Sequence, residues 1–460
     1  MFIIQYILAI VIVFYLLIVG YIKLTYKFWA YQPVFHVYHL YWWLFPCGII
    51  DYELPKKNKF INPFQIQHFQ YPLSYNDKSN HKSNHKSNHK SNHKSNHKSN
   101  HKNNELVPWE QMTSFIKQHY LQNKRHELFY NPSLKEIQTY FKGHSYPTIV
   151  SLYYEKEGLI EYKNEKNELI ERNNIIGCIT SRPLYVTFPN ESSGNNKDHE
   201  LTVYYVDFLC VHKQKRKQGI ASELIQTHEY YQRRVGHHHD SNNNLHVSLF
   251  KREGQLTGIV PLVVFSSMGY ITEHISLDRF QKIEDYYSIL RLQKSSLQLF
   301  FSFIKENKER FGCIITPHLS NLMFLLDQNI LTIYMLMLND SVLSVYIFRN
   351  EHTTEKKRDC ISCIGSLSSR NQSKELFGFG FLHCFNLLKR EISSKKREND
   401  KVNHNHTILY IENIGDNLFL NNYVKEFHIA KHNDCQIPMA YFFYNYAKRP
   451  FLEKEVFILC

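Results

Sequence analysis

Between Leu201 and Tyr230 the chain reads LTVYYVDFLCVHKQKRKQGIASELIQTHEY, and its character changes in the middle. Val203 through Val211 is β-branched and aromatic, as a buried or half-buried strand requires. After the basic stretch His212 to Gln218, the positions Ile220, Leu224, Ile225 and His228, with Ala221, recur along one face of a helix. A glycine-containing basic turn between strand and helix aims backbone N–H groups and the positive end of the helix dipole at one spot. A phosphate or pyrophosphate sits naturally there. The segment therefore predicts an α/β (α+β) protein with a ligand that carries phosphate.

The remainder of the chain sets limits on that reading. Its 460 residues correspond to roughly two to three domain-sized units. With 43% hydrophobic and 21% charged residues it is globular. The formal charge is +13, but the tetrad Lys-Ser-Asn-His repeats from Lys78 to Lys102 and supplies seven lysines, leaving +6 for the other residues. This repeat offers nothing apolar to bury and reads as a solvated insertion. A metal-binding histidine stripe is the less favoured reading of it. No basic stripe interleaved with aromatics stands out, so a nucleic-acid partner is not expected. Nine scattered cysteines lack a disulfide framework, which places the body in a reducing compartment. Cys360-Ile-Ser-Cys363 is a lone pair with no second pair to complete a zinc site, so no metal is expected. His237 to Asn244 and Ser393 to His406 read as polar surface loops.

Phe2 to Ile22 is about 21 residues long with Gln5 its only strongly polar member, close to the ~20 that span a hydrocarbon core. No charge precedes it, whereas Lys23 and Lys27 follow, the pattern of a single-pass anchor with a cytoplasmic body rather than of a cleaved signal.

Arg216-Lys217-Gln218-Gly219-Ile220-Ala221 fits the Arg/Gln-x-x-Gly-x-Gly/Ala acyl-CoA loop of GNAT-type acyltransferases. Phe208-Leu209-Cys210-Val211-His212-Lys213 is the FLCVHK signature of glycylpeptide N-myristoyltransferases, and the chain resembles that family. Lys27-Phe28-Trp29 with Gln32-Pro33-Val34 is similar to its FWxTQPV motif, with Tyr31 in place of Thr. Ile176 to Ile179 with Pro183 resembles its LVGFISAIP strand, and Tyr441 to Tyr446 its YYLYNW strand. Departures lie at Lys217, Gln218, Gly219 and Ser222, which replace Ser, Lys, Arg and Pro. The acidic peptide loop has become Gln122-Asn123-Lys124-Arg125, and a Gly-Asp-Gly loop has become Lys431 to Cys435.

The resemblance implies transfer of a myristoyl group from myristoyl-CoA, a co-substrate rather than a resident cofactor, to the N-terminal glycine amine of protein substrates. It implies acyl-CoA contacts at Lys27, Phe28, Trp29, Phe208, Leu209, Cys210, Val211, Arg216, Lys217, Gln218, Gly219, Ile220 and Ala221. The amides of Phe208 and Leu209 would form an oxyanion hole, and the α-carboxylate of Cys460 would act as base. The apolar Val456 to Leu459 supports a buried end for this carboxylate, although such a tail also suits a strand that merely completes the core. For a nucleophilic Cys460 thiol the sequence places no histidine partner, so that reading is disfavoured. Thr257 and Asp207 fall at peptide-amine contacts; Asp207 either holds the ammonium or serves as a second base.

The expected architecture is two tandem GNAT-like halves with pseudo-twofold symmetry and an N-terminal transmembrane helix, in a monomer. The segments are an anchor (1–24), an acyl-CoA-contacting arm (25–77), the repeat (78–102), an acyl-CoA-binding half (103–284) and a peptide-binding half (285–460). Rival readings are a GNAT-type N-acetyltransferase using acetyl-CoA and a catalytically inactive acyl-CoA or peptide-binding relative.

Overall fold

The computed structural model describes residues 2–45, 47–71, 107–121, 128–155, 174–189, 198–239, 245–254, 258–272, 286–399, 407–427 and 435–460. Among them one mixed sheet of 15 strands carries nine α-helices and shorter elements, the α/β class expected. The repeat at 78–102, the loops at 122–125 and 431–434, and Thr257 lie outside the described residues.

Asn174–Phe188 is buried along most of its length. On one edge it pairs antiparallel with Thr148–Glu155 as far as Ser181, then with Cys313–Pro317 from Leu184. Pro183 falls in the gap between these two neighbours, so on that edge its missing N–H interrupts no ladder. On the other edge lies His199–Val211, four residues longer at its start than the aromatic run marks. Its register slips between the pairs Ile179–Leu209 and Ser181–Val206, so Asp207 and Phe208 both stand opposite Thr180, a β-bulge. The bulged strand pairs in parallel with Ser248–Glu253 from Tyr204 to Val206 only. Past Val206 a cavity takes the place of pairing.

The helix Ile220–His239 connects these two parallel strands. Ile220 and Leu224 pack on Tyr153, Ile176 and Ile179. Gly177 permits the close approach, since a Cβ there would lie 2.7 Å from Leu224 Cδ1. The helix continues through His237, His238 and His239, which are not a loop. Its last turns are held by packing, because a Cβ on Gly236 would meet Leu245 Cβ at 2.9 Å. Likewise the helix Lys374–Asn399 takes up the first half of the second expected loop.

Two further features position the site. Val456–Ile458 pairs in parallel with Cys313–Pro317, and Leu459 N–H donates to the Ile315 carbonyl at 2.8 Å, which draws Cys460 into the core at 5% exposure. At the other end, Phe2–Thr25 is a single apolar helix with mean hydropathy 2.9 over its most apolar window, long enough to cross a membrane, and its side chains are exposed except at the body end. There Ile22 packs against Gly258 and the Tyr15 hydroxyl donates to the Tyr38 carbonyl at 3.1 Å. The arm that follows brings Trp29 onto Phe250, stacked at 5.7 Å.

Candidate active site

The basic turn ends in two left-handed residues, Lys217 at φ 67° and Gly219 at φ 87°, before the helix begins at Ile220. A cavity of about 530 Å³ opens above it, lined by Cys210, Val211, Arg216, Lys217, Gly219, Ile220 and Ala221 together with His119, Tyr120 and Leu209. Gln218 is exposed and outside this lining. Arg216 serves the turn itself: its Nη2 donates to the His119 carbonyl at 2.8 Å and its Nε to the Val211 carbonyl at 3.3 Å. Lys215 is paired with Glu155 at 2.6 Å. His119, its ring 4.2 Å from that of His212 and tilted against it, is pushed down to about 4 by burial and by the charges of His212, Lys213 and Arg216.

A second cavity of about 410 Å³ follows, sharing Tyr120 and Leu209 with the first. It lies where the bulged strand leaves its parallel neighbour, with Val206, Asp207 and Leu209 on one side and Phe250 to Glu253 on the other. Trp29, Ile225, His228 and Glu229 close it. Phe208 points its ring into the core, against Tyr120 and Tyr140, and its N–H donates to the Thr180 hydroxyl at 3.1 Å. Lys27 and Phe28 line neither cavity; Phe28 packs on Phe60 instead.

Beside the bulge lies a buried charge cluster that sequence reasoning missed apart from Asp207 and Cys460. Arg182, 1% exposed, donates from Nε to both oxygens of Asp207 at 2.9 and 3.2 Å. Arg349 donates from Nη1 to the Cys460 main-chain oxygen at 3.0 Å and contacts Glu351 and Glu412 at 2.8 and 3.4 Å. Lys251 reaches the same Glu412 oxygen at 2.7 Å. Burial raises the Asp207 carboxyl above its ordinary value despite Arg182. Burial also works to raise Glu351, but Arg349 and a hydrogen bond from Ser362 bring it below. The Cys460 thiol is raised by burial against the opposing charge of Arg182, which leaves it a poor nucleophile. Arg182 is the one of these with a local signal, the only charged residue in Asn174–Phe188.

Solved structures share this arrangement of elements. A Saccharomyces cerevisiae N-myristoyltransferase with bound myristoyl-CoA aligns over 93% of this chain and 90% of its own, at 13% identity and a TM-score of 0.58. Another, with myristoyl-CoA and inhibitors, aligns over 94% of each chain at 12% identity and a TM-score of 0.59. The chain has the N-myristoyltransferase fold. No protein-family model matches the sequence, and no curated protein matches it.

Within this N-myristoyltransferase fold the second cavity has a wall that is polar at His228 and Glu229. His228, buried and pushed down to about 3 by burial, bridges Ser151 and Ser181 at 2.7 and 2.9 Å, and His68 joins Ser151 at 2.8 Å. Glu229, 5% exposed, accepts from Ser248 at 3.2 Å and Gln232 at 3.3 Å through Oε2, while Oε1 has no partner among the described residues. Burial raises Glu229 from 4.5 to about 7. The unfolded chain therefore releases this proton first, so stability falls as pH rises from about 4.5 to about 7 and is level above. The loss is about 3 kcal/mol. Glu229→Gln removes this slope, and denaturant unfolding of the two proteins at pH 4.5 and 8 measures the difference.

Proposed function

We propose that this chain transfers a myristoyl group from myristoyl-CoA to the N-terminal glycine amine of protein substrates. The observation that carries the reading is the bulge at Asp207 and Phe208. It stands where the parallel pair opens, between a cavity capped by a helix N-terminus and a buried carboxylate cluster. The pyrophosphate binds over Lys217 to Ala221, where a left-handed glycine and the helix N-terminus present N–H groups. The acyl chain enters the cavity past Leu209, and the thioester carbonyl lies at the bulge. The Leu209 amide stabilises the oxyanion, and the Phe208 amide joins it when the Thr180 hydroxyl turns away. Such donors are each worth roughly 2.7–4 kcal/mol of barrier.

The amine arrives mostly as ammonium, since an α-amine has a reference pKa of roughly 7.7–8.0. Three cations, Arg182, Arg349 and Lys251, stand among four carboxylates, Asp207, Glu351, Glu412 and the α-carboxylate of Cys460. This formal deficit of one positive charge suits an incoming ammonium. The Cys460 carboxylate then takes the proton as the nitrogen attacks, with Asp207 orienting the amine.

In this reading the acyl-CoA half (103–284) and the peptide half (285–460) are two GNAT-like units in a monomer, and the helix Phe2–Thr25 anchors the body at the cytoplasmic face of a membrane. Single-turnover assays with peptides beginning in Gly or Ala test the activity. Transfer from myristoyl-CoA to Gly and not Ala is expected. Transfer from acetyl-CoA alone, or tight binding without transfer, rejects it.

A further inference from the structure

The helix Phe2–Thr25 does not stand clear of the body along its whole apolar length. Ile22 packs against Gly258, and Tyr15, seven residues earlier and so about 10 Å farther along the helix, donates to the Tyr38 carbonyl. Val37 joins these two contacts, because its N–H donates to the Gly258 carbonyl at 3.0 Å. The body thus climbs the side of the helix for roughly two turns. The part that climbs carries no formal charge: between Lys27 and Asp51 the chain has no Asp, Glu, Lys or Arg. Val37, Leu40, Tyr41, Trp43, Leu44 and Phe45 are all exposed there, Leu44 at 71%. Several of their polar groups are satisfied within the protein. Trp43 Nε1 donates to the Val37 carbonyl at 2.9 Å, Phe45 N–H to the Tyr41 carbonyl at 2.9 Å, and Arg449 Nη2 to the Trp43 carbonyl.

A hydrocarbon core about 30 Å thick needs about 20 helical residues to cross it. The helix beyond Tyr15, residues 2–14, is roughly 20 Å long and cannot cross alone. Residues 2–22 reach roughly 31 Å, but then Tyr15 and the Tyr38 backbone beside it lie about 10 Å inside the hydrocarbon edge. We propose that Val37 to Phe45 is embedded in the lipid leaflet next to the helix, so that the body is seated in the bilayer surface and is not tethered above it. The assignment rests on the membrane-anchor reading above and deepens it by naming a second lipid contact. Its composition suits that place, since Trp and Tyr favour the headgroup level while Leu and Phe reach the acyl chains. Exposed Lys23 and Arg449 stand at its rim, where anionic headgroups attract cations. Two contacts with the bilayer fix the orientation of the body, which a single helix on a free linker would not.

The test is depth-dependent fluorescence quenching of the full chain in vesicles of phosphatidylcholine and phosphatidylserine. In a Cys47→Ser, Cys435→Ser background a small fluorophore is attached singly at Ile12→Cys, Leu44→Cys or Ser373→Cys, and the vesicles carry nitroxide lipids labelled near the headgroup or near the chain end. The Leu44 label should lose most of its fluorescence to the headgroup-side nitroxide and the Ile12 label to the chain-end one, while the Ser373 label, on the peptide half, keeps its fluorescence with both. A quenched Ile12 label with an unquenched Leu44 label, or equal quenching at Leu44 and Ser373, overturns the proposal and leaves the anchor standing. An unquenched Ile12 label removes the anchor reading and this inference with it. If the serine background does not fold, quenching of the native tryptophans by the same lipids replaces it: Trp43→Phe should remove much of the headgroup-side quenching, and an unchanged signal overturns the proposal.

Discussion

Converting the α-carboxylate of Cys460 to a carboxamide lowers the rate of glycine acylation by about 10²–10⁴-fold, the usual contribution of a positioned general base. The change is nearly isosteric, which matters because Cys460 is 5% exposed and longer extensions would have to force the core apart. It removes the proton acceptor while leaving the phosphate turn and the cavity past Leu209 untouched, so acyl-CoA affinity should hold. Semisynthesis by ligating a short C-terminal amide peptide provides the protein, and single turnover with enzyme preloaded with acyl-CoA provides the rate. Because Arg349 loses a charged partner, unfolding of the amidated protein must be measured alongside. A folded amide with the wild-type rate would transfer the base role to Asp207, the other carboxylate at the bulge.

The second large effect is on stability. Arg182→Met leaves Asp207 buried without its partner and should cost about 3–5 kcal/mol, as breaking buried ion pairs does. With 1% and 9% side-chain exposure, solvent does little to screen this pair. The double variant Arg182→Met with Asp207→Leu should recover most of the loss, because two apolar groups of similar volume need no desolvation of charge. Denaturant unfolding of the three variants reads both quantities. If the single variant costs under 1 kcal/mol, the Arg182–Asp207 contact is not formed in solution.

Strand, turn and helix around the site were legible because each obeys a local rule. Val203 to Val211 has strand composition, Gly219 marks the left-handed residue, and Ile220, Leu224 and Ile225 fall on the buried helix face. The helix end was not legible: three histidines and an asparagine-rich run signal a loop, but the contact of Gly236 with Leu245 carries the helix on to His239. Tertiary packing there overrides a weak local preference. The charge cluster was illegible for a different reason. Arg182, Lys251, Arg349 and Glu412 sit on four strands far apart in the chain, and only sheet order brings them to Cys460. His228 was read as part of the apolar face, and its neighbour Glu229 carried no signal at all.

Sheet order has one more consequence. Cys435–Tyr444 lies between Ser248–Glu253 and Val263–Ile271, paired to both. Two strands adjacent in sequence thus wait, with facing edges open, for a segment synthesised more than 160 residues later. A nascent chain must protect that slot throughout its elongation, because unpaired edges of this kind recruit other strands. Expression in cells should accordingly depend on chaperones that shield β-edges, and chains interrupted before Cys435 should be recovered as aggregates rather than as a folded first half.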